Sequence, residues 1–418
     1  MPAIDDSAIV TPSHKTARHL AFFSRLTFGQ QFWNFFLASV FFDLGMFVFA
    51  FLYNLYLLDR GLTEKTMGWI AGALSLGTML ATIPAGLLAR KIGVQKALLS
   101  CFFLLPVVSC ARTLVQSETL LVLLALVGGG VFAVWAVSLP PTVAALTTEE
   151  NRPAAFSLVF GLGIGSGILG GYLGGHLPSW CSSVVHGSPA ELKKVSLLLA
   201  SLFVLAGAWP CTKIAIASSA HSTQVTSLSA SKYLWRFLPP VAAWSFGLGI
   251  LAPFLSIYMT KNLHLELAQV GSMFSLSQLL QMISVLAAPR IFRHCGTLRT
   301  VTLSQLVASI ALLAFASLSV RPWMLVSFAV LSIFQYMNEP GLYTLLMDNV
   351  APEQQSSASA WNFFVICAAQ SVAALIGGVL LSHFAYSVVL SSAAALMAAA
   401  AVALYASLQG QPRSGGDL

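Results

Sequence analysis

Charge is what this sequence has little of. Asp, Glu, Lys and Arg make up 8% of its 418 residues, against roughly a quarter of an ordinary soluble domain. Hydrophobic residues make up 57%, far more than a water-facing exterior can accommodate. This balance excludes a soluble globular fold and calls for an exterior that faces lipid. Cysteine is sparse too. Cys101, Cys110, Cys181, Cys211, Cys295 and Cys367 lie far apart, and no two form a C-x-x-C pair. That excludes a disulfide framework, a structural zinc site and an iron–sulfur cluster. No His-Glu-x-x-His run and no Gly-x-x-x-x-Gly-Lys-[Ser/Thr] run occurs. Zinc hydrolysis and P-loop ATP hydrolysis are therefore not expected, nor is any cofactor.

What is present is a series of apolar runs about twenty residues long, the length a helix needs to cross an ~30 Å hydrocarbon core. They fall at 32–58, 66–89, 97–115, 119–146, 154–177, 195–217, 238–259, 268–289, 300–319, 324–349, 360–382 and 388–408. The expected fold is an all-α integral membrane protein with twelve transmembrane helices in two pseudo-symmetric six-helix bundles, 32–217 and 238–408. A Ser/Ala/Thr-rich stretch, 218–237, reads as a cytoplasmic linker between them. Residues 1–31 and 409–418 read as cytoplasmic ends. The first thirty residues lack the pattern of a removed signal peptide, so the first span is expected to act as an uncleaved insertion signal.

Orientation follows from the basic residues. With the N-terminus inside, 14 Lys and Arg fall on the inner side and 7 on the outer side. Both termini are therefore expected in the cytoplasm. The net charge of +7 is an insertion signal and needs no nucleic-acid partner. Short loops and small tails suit a bacterial inner membrane, and a monomer is the expected state.

The halves echo each other at an offset of 203. Gly68 falls on Gly271, Gly93 on Gly296, Lys96 on Arg299, Glu150 on Glu353, and Gly174-Gly175 on Gly377-Gly378. A parallel repeat about an axis along the membrane normal is a known transporter plan. The loop after the second span reads Gly86-Leu-Leu-Ala-Arg90-Lys91-Ile-Gly93-Val-Gln-Lys96. It resembles the signature loop of the major facilitator superfamily, G-x-L-a-D-R-x-G-R-[RK]-[RK]. Its second-half echo is Pro289-Arg290-Ile291-Phe292-Arg293-His294-Cys295-Gly296-Thr297-Leu298-Arg299. The resemblance implies a gating role for Gly86, Arg90, Lys91, Gly93, Lys96, Arg293, Gly296 and Arg299. Arg90 stands where the family has an acid, so the usual charge pair cannot form. Glu149 and Glu150 are the carboxylates on offer to Arg90 instead. In the fifth span, Ser166-Gly167-Ile168-Leu169-Gly170-Gly171 loosely resembles the family's antiporter motif but lacks its proline. Its glycines read first as close helix packing.

Ionisable groups at mid-depth are costly and mark function by default. Asp43 sits near the middle of the first span, on one helical face with Ser39 and Asn54. Glu339 lies mid-span in the tenth, beside Gln335, Asn338 and Pro340, where the proline invites a broken helix. Asp43 and Glu339 are the expected proton-coupling acids. Asn54, Trp135, Trp244, Gln278 and Gln281 are candidate substrate contacts, as are Gln335, Asn338, Trp361, Asn362 and Gln370. No Lys or Arg is expected at mid-membrane, because Arg112 and Lys213 lie near span ends where they can snorkel. A neutral or cationic substrate follows from that expectation.

Together these readings imply a secondary transporter, with small molecules, protons and membrane lipids as partners. Proton-coupled export of lipophilic neutral or cationic compounds is the leading expectation. Proton symport of sugar-like or other polar solutes is the alternative. A lipid flippase or a non-transporting receptor on the same fold comes from a different class. An enzyme is not expected.

Overall fold

The computed structural model describes residues 28–148, 150–215, 232–318, 320–351 and 354–409. The expected N-terminal segment up to residue 27, the linker through residue 231 and the tail from residue 410 lie outside the described residues. So do Glu149 and Glu353. Helices α1 to α5 are Gln30–Asp59, Glu64–Ile92, Val94–Leu114, Glu118–Ala145 and Arg152–Cys181. α6 is Pro189–Ala206 continued as Ala208–Thr212, and α7 is Lys232–Leu251 continued as Leu255–Lys261. α8 is Leu267–Cys295, α9 is Thr297–Ser317, and α10 is Arg321–Met337 continued as Glu339–Asp348. α11 and α12 are Gln355–His383 and Tyr386–Leu408.

The twelve expected spans are these twelve helices, and 11 candidate spans meet the length and hydropathy for crossing a membrane. The exception is α10, which is cut at Asn338. Two boundaries move for local reasons. α6 starts at Pro189 rather than 195, because Ser188 and Glu191 form a reciprocal capping box. α7 starts at Lys232, so the last six residues of the expected linker are helical. There the Tyr233 hydroxyl donates to Leu345 O at 2.8 Å, tying the first turn of α7 to α10.

The interruptions in α7 and α10 have different chemistry. In α7 the chain loosens over Ala252-Pro253-Phe254. Pro253 lacks an N–H, and its carbonyl turns outward to another helix. Sequence reading missed this break. In α10, Asn338 is fully buried and its Nδ2 donates to Gln335 O at 2.5 Å and Phe334 O at 3.3 Å. The side chain thus bonds two carbonyls of the turn before the break, while Tyr336 O, which Pro340 cannot reach for want of an N–H, accepts from the Asn338 backbone N–H. This break was expected from Pro340.

The repeat is visible in backbone detail. Gly93 joins α2 to α3 at φ 88°, ψ 146°, and Gly296 joins α8 to α9 at φ 82°, ψ 142°. Both angles lie where a Cβ is strained, so each one-residue junction requires glycine.

The halves meet along two seams, α2 with α11 and α5 with α8. At one, Gly68 lies against Gly378, and at the other Gly271 lies against Gly175. Any side chain there would overlap facing backbone. One turn deeper, Ser371 Oγ donates to Gly72 O at 2.8 Å, and Ser275 Oγ donates to Ile168 O at 2.7 Å. These pairs are related by the same offset of 203, with the donor on α11 in one and on α8 in the other.

The apolar core is divided unequally along the membrane normal. At the end away from residues 28 and 409, one cluster draws on both halves, from Leu52, Met67 and Leu121 to Phe254, Phe315 and Tyr386. At the end that carries residues 28 and 409, each half has its own cluster, one around Phe35, Phe102 and Trp135 and one around Phe237 and Leu346. The distal end is closed by shared packing, and the terminal end is not.

Candidate functional site

A cavity of about 650 Å³ lies within the first half and is capped distally by Ala252 and Pro253 of the α7 break. α1 supplies one wall with Asp43, Met46, Ala50 and Asn54, residues that recur at helical spacing. α2, α3, α4 and α5 supply the rest. From α3 come Leu105, Ser109 and Arg112, again a single helical stripe.

Asp43 is half-buried, and its Oδ2 faces Gly163 of α5 across the cavity lining. Among the described residues no hydrogen bond or ion pair engages its carboxylate. Asn54, three turns along the same helix, donates from Nδ2 to Pro253 O at 2.8 Å. A side chain of the first half thus satisfies the carbonyl freed by the break in the second. Ser39, expected on this face, instead turns back to Phe35 O at 2.9 Å and is buried.

Trp135 also lines the cavity, but its ring is mainly packing. It stacks on Phe42 at a centroid distance of 4.0 Å and meets Phe102 edge-on at 5.7 Å. The other candidates stand elsewhere. Glu339 is exposed beside the α10 break and does not line this cavity, and Gln335 and Asn338 serve the break itself. Trp244 is buried in the shared core. Gln278 packs on Gly167 at the α5–α8 seam, and the backbone of Gln370 faces Gly249 between α7 and α11. Gln281, Trp361 and Asn362 are also outside the cavity, with Trp361 edge-on to Phe364 at 5.9 Å. Position along the chain does not assign a helix residue a face toward one cavity.

Arg112 corrects the sequence reading most. It was expected to snorkel, yet it is 7% exposed and lines the same cavity as Asp43. Its guanidinium lies 4.2 Å from the Tyr53 ring centroid and 5.6 Å from that of Phe49. The signal was available: Leu105, Ser109 and Arg112 share a helix face with a hydroxyl between the other two. The argument that the cavity lacks a cation does not hold.

The distal end carries a second polar cluster. Glu64 Oε1 accepts from Lys261 Nζ at 2.5 Å and from the Tyr386 hydroxyl at 3.1 Å. One carboxylate of the first half therefore binds two helices of the second. Thr66, one half-turn on, donates to Glu118 at 2.7 Å. At the terminal end Arg90, Lys91, Lys96, Arg293 and Arg299 are exposed around the two glycine junctions.

The sequence profile of the Major Facilitator Superfamily matches residues 35–229 and 241–416, one match to each half. No curated protein matches the chain significantly. Among solved structures, a point mutant of the nucleoside transporter NupG superimposes with a TM-score of 0.76 at 13% identity, covering 91% of this chain and 100% of that one. A bacterial homologue of the iron transporter ferroportin, in an inward-facing state, gives 0.70 at 12%, covering 90% and 98%. A bacterial homologue of the human lysosomal transporter Spinster, also inward-facing, gives 0.69 at 11%, covering 90% and 94%. At such identities the likeness is one of fold.

Proposed function

Because the chain belongs to the major facilitator superfamily, we propose that it is a proton-coupled secondary transporter whose cargo occupies the cavity beside Asp43. The single observation that carries this reading is Asp43, a carboxyl group on the cavity surface with no protein partner among the described residues. Taking such a group out of water disfavours its charged form. A carboxyl in this setting releases its proton when a cationic or hydrogen-bonding cargo replaces it, and regains the proton when the cargo leaves. Rocking of the halves on their two seams alternates the side from which the site is reached. The apolar walls suit a cargo with an apolar body and a polar end, and the volume suits a small organic molecule.

With the termini in the cytoplasm, the closed distal end faces outward and the described state opens inward. Export of lipophilic neutral or cationic compounds in exchange for protons is the version favoured by the apolar walls. Glu339, at the α10 break, is the second proton carrier in this scheme and acts outside the cavity. Membrane lipid surrounds a single chain, and a bacterial inner membrane is the proposed location.

The test is reconstitution in liposomes with an imposed pH gradient and a set of lipophilic amines and neutral aromatics as solutes. Accumulation that a protonophore collapses, and that Asp43→Asn abolishes while melting remains cooperative, is the expected result. Full gradient-driven flux in Asp43→Asn would overturn the reading.

A further inference from the structure

We infer that Arg112 is an anion-receiving subsite at the distal end of the cavity, so that the cargo is amphoteric. It would carry a planar anionic group, such as a carboxylate, at one end of an apolar body and an amine at the other. This rests on the reading of Asp43 given above and narrows it to a substrate class.

A guanidinium presents five donors in a rigid fork and remains charged under all ordinary conditions. Burying one is expensive unless a counter-charge or a set of acceptors satisfies it. Arg112 has neither in full. The ion pairs among the described residues are Lys193 with Asp59 and Lys261 with Glu64, and neither involves Arg112. Its Nε is buried without an acceptor. What holds the guanidinium are the ring faces of Tyr53 and Phe49, on α1, with a polar contact to the Tyr53 hydroxyl. These fix the plane of the fork and soften its burial, yet leave Nε without an acceptor. A planar carboxylate matches the edge of the fork with two parallel hydrogen bonds.

The spacing defines the cargo. Arg112 is level with Phe49 and Tyr53, six to ten residues beyond Asp43 on α1. At 1.5 Å per residue the two charges are separated by about 9–15 Å along the helix axis. The lining is mainly apolar, with Met46, Phe47, Ala50 and Leu74, and includes the hydroxyl residues Ser75, Thr78 and Ser109. A simple α-amino acid cannot span that interval, whereas an elongated molecule with opposite charges at its ends can. Arg112 lines the same cavity as Pro253, where Asn54 joins the halves. An anion bound there lies against the distal closure.

The experiment uses purified full-length protein in detergent and follows its melting temperature with straight-chain amino carboxylates of graded length. Each is compared with its methyl ester and with the alkylamine of the same length. In the wild type, the acids are expected to bind roughly tenfold to a hundredfold more tightly than their esters, the range of charged hydrogen bonds. The advantage should peak at an intermediate length. In Arg112→Met and Arg112→Gln the acid and its ester should become equal, while the alkylamine keeps its Asp43-dependent effect. Arg112→Lys, which keeps the charge but loses the fork, is the variant to rely on if the neutral ones do not fold. There the acid preference should fall about tenfold. Wild-type protein that fails to distinguish acid from ester at any length, or binds none of the probes, overturns the inference. So does an undiminished preference in the Arg112 variants. Amine binding that depends on Asp43 without any preference for acids leaves the Asp43 reading standing and removes only this one.

Discussion

The carboxylate of Glu64, at the start of α2, lies 2.5 Å from Nζ of Lys261, at the end of α7, and so joins the two halves across the closed end. Lys261 is 42% exposed as a side chain, so the pair contributes at most about 1 kcal/mol to stability. Its importance is positional. Glu64→Gln should leave the melting temperature nearly unchanged and favour opening at the distal end. The measure is labelling by an impermeant maleimide of a single cysteine placed at Ala50, in a background without native cysteines. Faster labelling from the distal side is expected, and an unchanged rate would show that packing alone keeps that end shut.

Asn54→Ala should have a larger effect in the same assay. It removes the donor to Pro253 O and leaves a freed carbonyl without its partner, which costs about 1–3 kcal/mol. If α1 and the α7 break part when the distal end opens, that cost falls on the closed state. Labelling should therefore exceed that of Glu64→Gln.

Gly378→Val should interfere with the same closure by sterics. A side chain at this position would run into Gly68 and Glu64 O of α2. Overpacking of this kind costs about 1–3 kcal/mol. Gly161→Ala is the control, since nothing lies within 4 Å of the added methyl. The control should melt at or slightly above the wild-type temperature, while Gly378→Val melts lower or labels as distally open.

Asp43→Asn and Glu339→Gln should separate in proteoliposomes. Asp43 lines the cavity and Glu339 does not. Asp43→Asn should lose gradient-driven accumulation and cargo binding together, while Glu339→Gln keeps cargo binding but moves fewer protons per cargo. An unchanged proton-to-cargo ratio in Glu339→Gln would remove Glu339 from the proton path.

Trp135→Ala should report on folding before transport. The indole is 4% exposed and packed between Phe42, Phe35 and Phe102. Its loss should cost about 3–5 kcal/mol in stability, measured as denaturant or thermal unfolding. Trp135→Phe should recover most of that.

Much of the fold was legible because the bilayer imposes a simple rule. Helix count follows from apolar runs, and the repeat followed from glycines that no other residue can replace. Gly93 and Gly296 were found by spacing alone, and their φ values of 88° and 82° give the reason. The α10 break was readable from Pro340. The break at Pro253 was not, because a proline inside a membrane helix is often tolerated, as Pro84 and Pro106 are here.

The site was less legible. Asp43, chosen because a mid-span carboxylate is conspicuous, does line the cavity. Arg112 was misjudged because, near the end of a span, distance from the interface does not tell whether a long side chain turns toward water or inward. Gln278 and Trp244 were chosen for polarity and depth, but the seam and the shared core took them.

The sequence by itself determined the solvent, the number of crossings and the two-fold repeat, because these depend on composition and period along one chain. Only the tertiary structure decided which side chains share a cavity and which end is closed. Those are relations between helices far apart in sequence, such as Asn54 and Pro253, and no local pattern encodes the face that each turns toward the other.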